Sequence, residues 1–281
     1  MVKLDFLVPG FSKCGTTTLC SLLSQHPEIY IPELKEPWYF SASDYPDKQN
    51  EYVKHFAPAE PQQKLGEGSV SYSGYLKEDL SISRILENNP RCRMIFIARN
   101  PLRRIESSYR EMHHSGVQFG LNAPYSLGEN LEVFPQMIND SLFFERISKW
   151  VTAFGEQSIL VVFLEDLQRD PARELLRCFK HLGVDPGFKL QDQAPLNAGN
   201  TKYYDTKLLR YLRCRPWSGF KLAKLNPVQQ DRLFIPLGLR KAFRKAVIWD
   251  EHSLQMVRAR VQPDSSKFLK VYGKPSDFWK I

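Results

Sequence analysis

The feature that most narrows what this chain can fold into is the recurrence of short, unbroken apolar runs between helical patterns. Phe6-Leu7-Val8 closes a stretch from Lys3 to Val8 that reads as a buried strand, and Arg93–Ala98 and Ser158–Asp166 are two more. None alternates apolar with polar residues, as a strand with one wet face does. Strands that are apolar on both faces belong in a parallel sheet covered by helices on each side. Helices are expected over Thr17–His26, Ile82–Asn88, the segment after Arg99, a stretch including Ser148–Phe154, and Pro171–Leu182. A hydrophobic fraction of 42% in 281 residues is ample to fill such a core. The expected fold class is α/β, a central parallel β-sheet flanked by helices. Beyond residue 199 the pattern becomes helical, basic and less regular. Residues 1–199 are therefore read as the α/β core and 200–281 as a mostly helical basic extension of the same single domain, 1–281.

The first strand runs directly into "VPGFSKCGTTTL", Val8 to Leu19. A strand, a glycine loop and a helix start, in that order, bring free backbone N–H groups and the positive end of a helix dipole together. That makes a P-loop-type anion site. In a nucleoside triphosphatase the lysine follows the second glycine, and the next Ser/Thr holds Mg²⁺. Here Thr16 follows Gly15, and the lysine is Lys13, inside the loop. One feature still favours a P-loop kinase or NTPase: Glu165 and Asp166 end the third apolar run, where an acid could hold a metal. Acids at that place also commonly cap the next helix.

Arg99 ends the second run, and Ser107 follows about two turns into the next helix. Open α/β sheets bind ligands at this carboxyl edge. A guanidinium and a hydroxyl so spaced could grip a phosphate separate from the one in the glycine loop. Two anion sites suit a nucleotide phosphorylated at both its 5′ and 3′ ends.

At this point the sequence resembles the sulfotransferases that use 3′-phosphoadenosine 5′-phosphosulfate (PAPS). "GFSKCGTTTL" is similar to their 5′-phosphosulfate loop and "IARNPLRRIESSY" to their 3′-phosphate segment, with Arg99 and Ser107 as the matching pair. "KEPWYF", "GEGSVSY", "VVFLEDLQRDPARELLRCFKHLGVD" and the tail "FLKVYGKPSDFWKI" follow in family order. The likeness is closest to single-domain bacterial sulfotransferases and to the catalytic domains of glycosaminoglycan sulfotransferases.

The resemblance implies PAPS as cofactor, 3′-phosphoadenosine 5′-phosphate (PAP) as product, and no metal requirement. It implies cofactor contacts from Lys13, Cys14, Gly15, Thr16, Thr17, Thr18, Arg99 and Ser107, with Lys202, in "NAGNTKYY", as a further 3′-phosphate contact. Lys13 is the leaving-group lysine in this reading. Glu36 aligns with the general base, Glu67 and His113 being next in line. Two departures bear on the acceptor. The glycosaminoglycan enzymes carry a histidine where this chain has Trp38, and a lysine where it has Gly68. Losing two basic groups argues against a polyanionic acceptor. Trp38, Tyr39, Glu67, Tyr72 and His113 are taken as acceptor-binding. They suit a small molecule of aromatic or cationic character that is sulfonated on a hydroxyl or amine. Tyr45, Tyr75, Phe119 and Phe143 are further aromatic candidates, although aromatics most often fill the core.

The net charge of +8 is concentrated between Lys202 and Lys245, where twelve basic residues face two acids. Such a run is commonly a solvated helical surface. It also fits one wall of a polyanionic cofactor site, or a non-catalytic nucleic-acid-binding protein, although no nucleic-acid-binding motif accompanies it. No nucleic-acid or membrane partner is expected. The first apolar run is too short for a signal peptide or a membrane span, which points to the cytoplasm. Five scattered cysteines without a Cys-x-x-Cys pair read as reduced structural thiols, in keeping with that compartment. The six histidines complete no zinc-ligand spacing.

Overall fold

The computed structural model describes residues 2–116, 121–190, 202–213, 225–243 and 246–281. In chain order the elements begin β1 (Phe6–Gly10), α1 (Thr16–Leu23), β2 (Ile29–Tyr30), α2 (Gln49–Lys54), β3 (Lys64–Glu67), α3 (Glu78–Asn88), β4 (Arg93–Ala98) and α4 (Pro101–His114). There follow α5 (Leu127–Val133), α6 (Gln136–Asn139), α7 (Phe143–Phe154), β5 (Ile159–Phe163), α8 (Leu164–Arg169) and α9 (Pro171–Leu182). The remainder is β6 (Tyr203–Asp205), α10 (Lys207–Arg213), α11 (Pro227–Phe234), β7 (Arg240–Ala242) and α12 (Glu251–Val271). The residues group into two compact units: 1–101 with 139–196 and 260–281, and 102–138 with 197–259.

The first unit holds a five-stranded sheet in the order β2-β3-β1-β4-β5, paired in parallel throughout. The chain moves from β1 outward to β3 on one side and to β4 on the other. The carboxyl end of β1 is thus a switch point, where crevices open in such sheets. Met94–Ala98 are completely buried, as their unbroken apolar sequence requires. The Phe6 ring lies over Gly66, where no Cβ would fit. α9 has the boundaries read from sequence because its punctuation is complete. The Asp170 side chain accepts from the Arg173 N–H, Pro171 opens the helix, and Gly183 closes it at φ 72°.

The third run departs from expectation. Its ladder with β4 ends at Ala98 opposite Phe163, and Leu164 begins α8 instead of continuing the strand. Glu165 and Asp166 fall in the first helical turn, where the helix dipole favours acids.

The second unit contains an antiparallel pair, β6 with β7, that the sequence pattern does not reveal. Asp205 and Arg240 face each other across it and are both buried. Arg240 pairs with Asp205 at 3.2 Å and with Asp231 at 2.8 Å, and Arg213 adds a second contact to Asp205 at 2.8 Å. Arg210 donates to His113 Nδ1 at 2.7 Å and stacks over the Tyr125 ring at 3.8 Å. Several cations of the basic run therefore hold this unit together.

Candidate active site

The glycine loop is anchored by its one large side chain. Phe11 is buried against Phe96 and Phe143, with ring centroids at 5.1 and 4.6 Å, and its N–H donates to the Ile97 carbonyl. The Cys14 thiol is buried beneath the loop. Gly15 sits at φ 100°, and a Cβ there would stand 2.8 Å from Leu164 Cδ1. Only glycine suits both the backbone and the space. Helix α1 then starts with no side-chain cap and no acid in its first turn. Thr16 is buried, Thr18 half-buried and Thr17 exposed. Arg99 leaves the end of β4 and donates to the Lys13 carbonyl at 3.3 Å, joining both elements of the first unit at one edge.

Among the described residues, Lys13 (φ 65°) and Trp38 (φ 56°) are the non-glycine residues with positive φ. Such conformations cost about 1–3 kcal/mol and collect at functional sites. Both residues were singled out from sequence.

The "KEPWYF" loop is tied to the segment after β3. Gly68 N–H donates to the Lys35 carbonyl at 3.0 Å, and the Trp38 N–H donates to Ser69 Oγ at 2.9 Å. Glu36 is half-buried. Lys35 Nζ stands 2.5 Å from its Oε1, and Trp38 Nε1 donates to its Oε2 at 3.1 Å. Lys35 Nζ also donates to Thr16 Oγ1 at 3.4 Å. The structure thus brings Glu36, Trp38 and the phosphate loop together through Lys35. Lys35 is a residue that sequence reasoning passed over, although it opens the quoted motif.

Glu67, Tyr72 and Tyr39 are buried behind this surface. The Glu67 carboxylate accepts from Tyr72 Oη at 2.6 Å and from the Ser69 N–H at 2.7 Å. Burial nevertheless outweighs those bonds and, with the nearby Glu36 charge, pushes its pKa up to about 7. Tyr39 stacks on Tyr52 at 4.3 Å, and Tyr45 packs at 4.9 Å. Phe143 is likewise core. Trp38, by contrast, is 51% exposed.

Glu165 and Asp166 have other partners. Glu165 accepts from the Asn100 N–H at 2.8 Å, and Asp166 pairs with Arg169 at 2.6 Å and with Lys274. Among the described residues no group of three or more His, Cys, Asp or Glu side chains stands close enough to hold a metal ion.

Ser107, His113 and Lys202 belong to the second unit. Ser107 is half-buried on α4, and Lys202 pairs with Glu111 at 2.8 Å. His113 lines an aromatic-walled cavity of about 1020 Å³ with Tyr109, Tyr125, Tyr204 and Phe243. Burial and the Arg210 charge lower its pKa to about 4, so the ring is neutral at physiological pH. Phe119 and Asn197–Thr201 lie outside the described residues. No helix among the described residues is long and apolar enough to cross a membrane. Cys14, Cys20, Cys92 and Cys178 are buried and outside any disulfide, the thiols of Cys20 and Cys178 raised by burial to about 12.

Comparison with known proteins agrees with this architecture. A sulfotransferase from Alicyclobacillus acidocaldarius shares the fold over 100% of both chains, with a TM-score of 0.67 at 20% identity. The membrane-associated sulfotransferase kil1 of Dictyostelium discoideum is 32% identical over 108 residues, which is 37% of this chain and 22% of that protein. The mouse bifunctional heparan sulfate N-deacetylase/N-sulfotransferase 3 is 24% identical over 98% of this chain, which spans only 31% of that protein's length. The sulfotransferase domain family matches residues 3–207. With that match covering more than half of its length, this chain belongs to the sulfotransferase family.

Proposed function

We propose that this protein transfers a sulfonyl group from PAPS to a hydroxyl or amine of a small molecule, residues 1–281 acting as one sulfotransferase domain. The observation that carries the reading is the tie from Glu36 through Lys35 to Thr16, which sets a carboxylate beside an anion loop. The loop suits the donor. Its helix end is uncapped, its backbone is cleared of a Cβ at Gly15, and a lysine and an arginine border it. When bound, PAPS supplies a sulfonyl group on its 5′-phosphate, with no β,γ-phosphate pair to bridge.

In this reading, backbone N–H groups from Cys14 to Thr18 and the threonine hydroxyls hold the 5′-phosphate at the α1 terminus. Lys13 stabilises the charge that develops on the bridging oxygen. Following the family motif, Arg99 and Ser107 take the 3′-phosphate, with Lys202 assisting. Glu36 removes the acceptor's proton. Exposed Trp38 meets the acceptor directly, with Tyr39, Tyr72 and Glu67 shaping the surface behind it. His113, set among aromatic rings, suits an acceptor of aromatic or cationic character. The protein acts in the cytoplasm, without nucleic-acid or membrane partners.

Calorimetric titration with PAP, followed by transfer of labelled sulfonyl from PAPS to a panel of phenols and amines, tests the reading. Binding and transfer are expected to persist in EDTA. No PAP binding, or turnover that needs ATP and Mg²⁺, would overturn it.

A further inference from the structure

Lys35 stands where two anions compete for one cation. Its stem is fixed from below: a Cβ on residue 68 would lie 2.9 Å from Lys35 Cε and 3.4 Å from Cγ, so Gly68 leaves the channel that the stem occupies. Its backbone is held as well, the carbonyl accepting from the Gly68 N–H and the N–H donating to the Glu33 carbonyl at 2.9 Å. What remains mobile is the ammonium. It lies between Glu36 Oε1 at 2.5 Å and Thr16 Oγ1 at 3.4 Å, and Thr16 opens the helix whose uncapped end faces the anion site.

Glu36 in this arrangement is a poor base. One oxygen is paired with an ammonium and the other accepts from the Trp38 indole. Both of its oxygens are thus occupied in this arrangement. A carboxylate so held takes up a proton readily only if one partner leaves. The indole N–H belongs to a side chain whose own backbone is tied to Ser69, whereas the ammonium can still turn about the last bond of its packed stem. A phosphosulfate arriving at Thr16, with one charge on its phosphate and another on its sulfonate, gives it a stronger partner than a single carboxylate.

We propose that Lys35 is a positioning residue that makes the competence of Glu36 depend on the donor: its ammonium pairs with Glu36 while the loop is empty and moves to the 5′-phosphate when the loop fills. The inference rests on Glu36 as the base. Freed of Lys35, Glu36 accepts the proton of the acceptor hydroxyl or amine as the acceptor's lone pair bonds to sulfur. The bond from sulfur to the 5′-phosphate oxygen breaks, its electron pair staying on that oxygen beside Lys13. Donor binding thus frees the base before the acceptor is deprotonated, and an acceptor bound without a donor meets a carboxylate already occupied.

The test is a thermodynamic cycle on PAP binding, measured by calorimetry on the full chain. Lys35→Met removes a charged contact to the 5′-phosphate and is expected to weaken PAP about tenfold or more. Glu36→Gln removes the competitor and is expected to tighten PAP about threefold to tenfold, an unusual direction for an active-site change. The double variant should bind like Lys35→Met alone, because the gain from Gln has no ammonium to release. A second readout is the Glu36 carboxyl carbon resonance at fixed pH, followed by NMR on ¹³C-labelled glutamate. PAP should move that resonance in the wild-type chain and leave it unchanged in Lys35→Met. A chain that binds no PAP at all overturns the functional reading itself. PAP binding that Glu36→Gln leaves unchanged or weakens, or a gain that persists in the double variant, overturns the role of Lys35 while the functional reading stands.

Discussion

Two helices of eight residues each, α1 and α11, begin in opposite ways. α11 has a full capping box: Asn226 accepts from the Gln229 N–H at 2.9 Å, Gln229 answers the Asn226 N–H at 3.0 Å, and Pro227 opens the helix. α1 has none of this. Its cap position is a left-handed glycine with no side chain to offer the first turn, and no acid lies there. Helix ends need partners for their first N–H groups, supplied by side chains, water or ligand. A fully capped end supports structure, and an end left open beside Lys13 and Arg99 is suited to a ligand.

The same contrast separates the Lys35–Glu36 pair of the first unit from the Asp205 cluster of the second. In the first unit, Glu36 and Lys35 lie on a partly exposed loop, with side-chain exposures of 26% and 17%. Their loss should affect chemistry and leave folding intact. The largest expected effect is therefore on rate: Glu36→Gln should lower turnover about 10²–10⁴-fold with the melting temperature within a degree or two of wild type. Lys13→Ala should also slow turnover and, unlike Glu36→Gln, should weaken PAP. If Glu36→Gln keeps most of its activity with a competent acceptor, the base lies elsewhere, Glu67 being the nearest candidate in the chain's first unit.

The Asp205 cluster of the second unit is locked away. Asp205 is 1% exposed and faces Arg213 and Arg240. Asp205→Ala leaves two guanidinium groups short of their counter-charge in a buried place and should cost about 3–5 kcal/mol of stability. Denaturant unfolding measures it. A loss under 1 kcal/mol would mean that the network is wet and that the contrast between the units is false.

How much of this was legible in the sequence follows the same division. β4 carries its fold in its own residues, since five consecutive buried apolar side chains leave no other place for it. The placement of Lys13, Gly15 and Arg99 at one sheet edge was legible because each follows the end of an apolar strand that the sequence marks. Lys35 was not, because its position is set by a glycine more than thirty residues later, and the absence of a side chain there leaves no signal in the local pattern. The β6–β7 pair was hidden for a related reason. Its strands of three residues are too short for periodicity to register, and the Asp205–Arg240 pair that fixes them lies inside a run that reads as plain basic surface. Tyr39 and Tyr72, read from sequence as acceptor-binding beside the "KEPWYF" motif, are both buried here and can shape an acceptor surface only from behind.

Glu67 tests whether the first unit has a buried charge problem of its own. Its pKa of about 7 in the folded chain lies above the ordinary 4.5, so folding favours the protonated form. The contribution is fully present below about pH 4.5 and is lost as pH rises through 7. Wild type should therefore lose up to about 3 kcal/mol between pH 5 and pH 8 through this group, and Glu67→Gln should flatten that part of the profile. Parallel profiles for the two proteins would show that Glu67 is ionised throughout and that its bonds from Tyr72 and Ser69 outweigh its burial.

The smallest effect returns to the two helix ends. Asn226→Ala removes one side of the capping box and should lower stability by about 1 kcal/mol. For a domain of this size that corresponds to roughly 2–4 °C in melting temperature. The loss should be the same with and without PAP, because the Asn226 cap is internal. α1 should behave oppositely. A ligand at one hundred times its dissociation constant adds about 2.7 kcal/mol to the folded state, and here the gain comes partly from capping the open end. Gly15→Ala strains the φ of 100° and drives a Cβ toward Leu164, so it should abolish most of that ligand-dependent gain. The two changes should therefore separate cleanly in melting curves: Asn226→Ala shifts both curves equally, and Gly15→Ala closes the gap between them. Should Asn226→Ala narrow the gap instead, the α11 end would be part of the nucleotide site, and the division between a structural and a ligand-binding helix terminus would fail.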